Sequence, residues 1–255
     1  MKKYILIISI ILIGIAPMPG LRRFFTKMPT ESQKADFAID MHSLGLKYYN
    51  GAIGVEKDRQ KAIELFTISA KNGHAEAQQI LGSLYMEGSY VAQDYQKAIK
   101  WYRLAADQDH AHAQYHLGLI YLQGVALPQN YEEAADYFRA AAIQRHADAQ
   151  YYMGLLSYMG MGVEQNRTEA FHWFQDAVQF GQANAMYYYA YMLYEGVDVK
   201  QDFAAAYYWA SLASFFEIEN AEELKNAIKA NVSEKIVKMI DSEVNKVLRE
   251  NRLSK

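Results

Sequence analysis

The 255 residues contain no cysteine. Disulfides, thiol nucleophiles and thiolate-bound metals are therefore excluded, and an exported form of the chain must be held together by packing alone. Proline is almost as scarce, at four residues, and no long Gly/Ser run separates one stretch from the next, so nothing between residues 35 and 215 reads as an interdomain linker. A basic surplus is lacking too. The formal net charge is −3, and residues 1–34 hold six Lys/Arg against Glu31 alone, which leaves −8 on the rest. A mildly acidic body suits phosphate backbones poorly, so no nucleic acid is expected as a partner. Nucleophile-elbow, phosphate-loop and zinc-protease patterns are missing, and Asp and Glu fall mainly at helix starts and on solvated faces. The chain reads as no enzyme and is expected to carry no cofactor.

What is present is apolar material, 51% of the residues with 21 tyrosines, arranged with a period. Ala77, Leu81, Gly82, Tyr85 and Gly88 return 36 residues later as Ala113, Leu117, Gly118, Tyr121 and Gly124. Two further copies begin at Ala149 and Ala185, and a weaker one, with one extra residue, begins at Asp40. Within each copy the first half places apolar residues at helical spacing, with a glycine in mid-helix that is tolerable only against a closely packed neighbour. Gly88, Gly124, Gly160 and Gly196 stand where a helix should stop. The second half opens at Asp58, Asp94, Asn130, Asn166 and Asp202, short acceptors suited to capping a helix start, and Glu133 and Glu169 add capping-box spacing. Aromatic residues alternating with alanine follow, as at Trp101–Tyr102, Tyr137–Phe138 and Trp173–Phe174, and read as core. A unit of this kind cannot bury its own apolar face, so copies must stack.

Residues 1–20 differ in kind. Lys2 and Lys3 precede an apolar run from Tyr4 to Ala16 that Pro17 and Pro19 break, which reads as a signal peptide or an N-terminal membrane anchor. Gly14 and Ala16 would put Pro17 just after a cleavage point, so both forms stay open. A periplasmic location follows from cleavage, inner-membrane anchoring from retention. Residues 21–34 read as a basic linker, 35–215 as the repeat array and 216–255 as a helical cap, with helices expected over 221–228 and 233–248.

The stretches AEAQQILGSLYMEG with DYQKAIKWYRLAA, and AHAQYHLGLIYLQG with NYEEAADYFRAAA, resemble the Sel1-like repeat family, a branch of the tetratricopeptide-type solenoids. The resemblance implies an all-α, right-handed α-solenoid of about five helix-turn-helix repeats, acting as an adaptor or scaffold. Bacterial envelope proteins of this family include adaptors of surface or motility assemblies and immunity proteins that neutralise secreted toxic effectors such as lipases. A protein partner is expected, either an envelope assembly component or a secreted effector.

The family geometry places the first helices along a concave groove, and slots +3, +6 and +10 from the leading Ala share one side of each. They hold His116, Leu119 and Gln123; Tyr152, Leu155 and Met159; and Tyr188, Tyr191 and Glu195. This stripe is the expected partner-binding site, against the alternative that its side chains pack on the neighbouring helix. The rival of another class is a metal-dependent hydrolase built on His110, His112 and His116, of which the last two share a helix face. His74, His110 and His146 are, however, one recurring turn position.

Overall fold

The computed structural model describes residues 30–253. The expected signal peptide or anchor, and residues 21–29 of the basic stretch, lie outside the described residues. Among those described the chain is all-α with no strand. Its helices are α1 (Glu31–Asn50), α2 (Arg59–Lys71), α3 (Ala75–Glu87), α4 (Tyr95–Ala106), α5 (Ala111–Gln123), α6 (Tyr131–Ala142), α7 (Ala147–Met159), α8 (Arg167–Gln179), α9 (Ala183–Glu195), α10 (Phe203–Phe215), α11 (Ala221–Lys229) and α12 (Glu234–Leu253). Successive pairs from α1/α2 to α9/α10 are the five repeats. Helix α1 opens inside the stretch read as linker, because Thr30 caps it and Gln33 returns a side-chain bond to the Thr30 amide.

The chain divides into two compact units, Met1–His74 and Ala75–Lys255. In the first, α1 packs on α2 at Gly45, where an added Cβ would lie 2.6 Å from the Phe66 ring. The Ser69 hydroxyl donates to the Ala38 carbonyl at 2.6 Å.

In the second unit each hairpin is closed by one recurring device. The amides of Asp94, Asn130, Asn166 and Asp202 donate to the carbonyls of Tyr85, Tyr121, Ser157 and Leu193, nine residues back on the first helix. The preceding glutamines, Gln93, Gln129, Gln165 and Gln201, donate their side-chain amides to Met86, Leu122, Tyr158 and Tyr194 carbonyls. The cap side chains themselves accept from the second or third amide of the following helix. The capping-box spacing of Glu133 and Glu169 therefore has no reciprocal role, since the cap amide is already bonded to the first helix, and Glu169 accepts from Trp173 Nε1 at 3.1 Å instead.

Inside the first three hairpins of this unit a ring presses on the mid-helix glycine. A Cβ on Gly82, Gly118 or Gly154 would lie 2.5–2.7 Å from Tyr102, Phe138 or Phe174, all three fully buried. The residues just before these rings, Trp101, Tyr137 and Trp173, are only half-buried. Between hairpins the cores are shared. Ala98–Ala106 of α4 cluster with Ala113, Leu117 and Ile120 of α5, and α6 does the same with α7. The last core runs from α8 through α10 to Leu224, Ile228, Val237, Ile240 and Val244 of α11 and α12, so these two helices close the open apolar end of the stack.

Candidate partner-binding face

The geometry of the histidines decides between a metal site and a recurring turn position. His110 and His146 are the N-caps of α5 and α7, accepting at Nδ1 from the Ala113 amide at 3.4 Å and the Ala149 amide at 3.3 Å. Gln182 does the same for α9 through its side-chain oxygen at 2.7 Å. An accepting Nδ1 carries no proton, so each ring holds its hydrogen on Nε2. From there His110 donates to Glu76 at 2.9 Å and His146 to His112 Nδ1 at 3.0 Å, while the Gln182 amide reaches Asp148 at 3.3 Å. Helices α5, α7 and α9 are thus each capped by a residue that also ties the helix to the second position of the previous first helix.

His116 stands apart, stacked on Tyr102 at 4.9 Å, and burial, with the neighbouring His112 and His146, holds its pKa down at about 4. His110, His112 and His116 do not converge, and both His110 nitrogens are already bonded. Among the described residues no group of three or more His, Asp or Glu is placed to hold a metal ion.

The stripe divides by depth. Its +3 members are half-buried and stack on the ring of the preceding repeat: His116 on Tyr102, Tyr152 on Phe138 at 4.8 Å and 7°, and Tyr188 on Phe174 at 5.2 Å and 13°. They act as pillars between repeats. Leu119, Leu155 and Tyr191 at +6 are half-buried, and Gln123, Met159 and Glu195 at +10 are exposed, with Met159 51% accessible. The surface left for a partner is therefore the +6 and +10 rows with the free edges of the pillars.

At its C-terminal end the stripe opens into a cleft of about 480 Å³. Five tyrosines line it, Tyr151, Tyr158, Tyr187, Tyr188 and Tyr191, together with Asn184 and residues 218–220 of the loop between α10 and α11. Only Tyr188 and Tyr191 were in the sequence-derived stripe. Tyr151 and Tyr187 stand two residues after Ala149 and Ala185, outside the stripe, and the loop carries no repeat signal. Glu217 and Asn220 hold left-handed φ values of 57° and 62°, which turn this loop back toward α9.

Helical hairpins piled on shared cores, with an aromatic face, define an α-solenoid repeat protein. The Sel1 repeat model matches residues 38–74, 75–110, 111–146, 147–179 and 183–214, and the chain belongs to the Sel1 repeat family, whose fold is typical of protein–protein interaction. No curated protein matches the sequence. Among solved structures it is similar to a protective antigen of uropathogenic Escherichia coli, with 25% identity and a TM-score of 0.70 over 86% of this chain and 49% of that one. The chain thus spans about half the length of that protein. It is also similar to a Sel1 repeat protein from Oxalobacter formigenes, with 27% identity and a TM-score of 0.67 over 78% of each chain. An immunity protein from Pseudomonas aeruginosa is more distant, with 23% identity and a TM-score of 0.42 over 76% of this chain and 69% of that one.

Proposed function

We propose that this protein is a non-catalytic binding module of the bacterial cell envelope that holds a protein partner against the face of its first helices. The observation that carries the reading is the row of partly exposed Leu119, Leu155, Met159 and Tyr191 on successive first helices, with Tyr191 lining the tyrosine-walled cleft. Half-exposed aromatic and aliphatic side chains on rigid helices are the groups from which interface anchors are made, because they remove much apolar area from water at small entropic cost. The envelope location rests on the charged-then-apolar plan of residues 1–20. The partner is an envelope assembly component. A secreted toxic effector, of the kind immunity proteins of this family neutralise, is the other outcome of the test.

The experiment is affinity capture from the native envelope fraction with three versions of the full chain. The Met159→Glu, Tyr191→Ala double variant should lose the captured protein at least tenfold, because both side chains lie outside the pillar row. Lys100→Ala, an exposed change on α4, should retain it. Equal capture by all three versions would remove the stripe as the binding face.

A further inference from the structure

The cleft has a chemistry more specific than apolar anchoring. Its wall is five phenol rings, and Glu219 is the one charged residue among those that line it. Glu195 lies close to Tyr191, whose pKa is raised by burial and by this carboxylate. The hydroxyls of Tyr151, Tyr158, Tyr187 and Tyr188 have no hydrogen-bond partner among the described residues. Burial and neighbouring tyrosines raise the pKa of Tyr151 and Tyr188, so the rings stay neutral and keep their electron-rich faces and oxygen lone pairs. Arg167 lies over the Tyr158 ring, 5.0 Å from its centroid, and 3.7 Å from Asp198. The nearby carboxylates Glu195, Asp198 and Glu219 outnumber that one cation.

An anion would meet two carboxylates and the negative faces of the rings here. A purely aliphatic side chain would strip water from phenol oxygens and return nothing. A planar cation meets neither penalty, because tyrosine faces attract it and its five N–H groups can donate to hydroxyls and to a carboxylate together. Resting on the binding-module reading, we infer that the cleft receives an arginine side chain of the partner protein, stacked among Tyr151, Tyr187, Tyr188 and Tyr191 and paired with Glu219. This end of the stripe then sets partner identity and orientation, while the aliphatic rows add area.

The test uses the full chain with ¹³C-labelled tyrosine rings and the peptide acetyl-Gly-Gly-Arg-Gly-Gly-amide. The expected result is saturable shifts confined to the cleft tyrosines, with a dissociation constant on the order of 1–10 mM. The isosteric citrulline peptide should bind at least about tenfold more weakly, and Glu219→Gln, on an exposed loop, should weaken only the arginine peptide, about threefold to tenfold. Equal binding of the two peptides, or saturable shifts with N-acetylglucosamine and none with arginine, would overturn the inference. If arginine fails while capture still depends on Met159 and Tyr191, this inference falls and the binding module stands. Capture indifferent to those residues removes the wider reading.

Discussion

The smallest parts that decide this fold are the mid-helix glycines and the rings laid over them. In three hairpins of the second unit a ring occupies the space where a glycine Cβ would be, so residue size on the two helices is coupled. The fifth repeat shows the same coupling from the other side, because Ala190 replaces the glycine and Ala210, not a ring, stands 36 residues after Phe174. Both are fully buried. Gly154→Ala should therefore cost about 1–2 kcal/mol in the native chain, since the Phe174 ring is buried and clamped by Tyr188 and must shift out of place. In a Phe174→Ala background the same change should stabilise by about 0.5–1 kcal/mol, because alanine is then simply the better helix former. The cycle is read from urea denaturation midpoints. A cost that stays the same in both backgrounds would show that the ring does not impose the glycine.

Along the helices, polar residues form ladders from repeat to repeat, and one ladder is visibly unfinished. Gln108 donates its side-chain amide to Gln78 Oε1 at 2.7 Å, and Gln144 donates to Gln114 Oε1 at 2.8 Å. The next rung would come from position 180, but Phe180 stands there, 50% exposed, and Gln150 Oε1 is left buried without a partner. A buried acceptor without a donor costs roughly 1–3 kcal/mol, so Phe180→Gln should raise stability by about 1 kcal/mol while Phe180→Ala should not. Equal midpoints for the two variants would remove the ladder as the cause. These cross-repeat bonds also mark what the sequence could and could not tell. The second-helix caps, the glycine stops and the two closing helices were legible, because each depends on residue type at a fixed local spacing. The His110, His146 and Gln182 caps were not, since neither residue type ranks high as a cap, and their alignment in one 36-residue column was the available signal. The stripe was legible as one side of a helix. That its +3 row would be taken up by rings of the previous repeat, and that the α10–α11 loop would complete a cleft, depends on contacts between elements that no local pattern encodes.

At the largest scale, stability in the second unit is distributed over shared cores, so a change at one junction is felt through its neighbours. The α4–α7 region carries a feature that makes this dependence sensitive to acid. His116 is stacked on Tyr102 with its pKa near 4, and burial, with His112 beside it, also lowers that of His146, which caps α7 through an unprotonated Nδ1. Both depressions mean that the folded chain resists protonation more than the unfolded chain does. The stabilising contribution is fully present above the unfolded value near 6.5 and is lost as pH falls toward about 4, because the unfolded state then binds the extra protons. For His116 the loss is on the order of 2 kcal/mol after allowing for its partial exposure. Protonating His146 at Nδ1 removes the cap and places a cation beside His112, while Asp148 opposes its depression in part. His116→Tyr copies the residue that stands in the next two repeats at Tyr152 and Tyr188, and it can keep the stack on Tyr102 without a titrating group. Thermal midpoints of the native chain should fall between pH 7 and pH 4, and the His116→Tyr chain should fall by clearly less over the same interval. Parallel profiles would place the acid sensitivity elsewhere in the molecule.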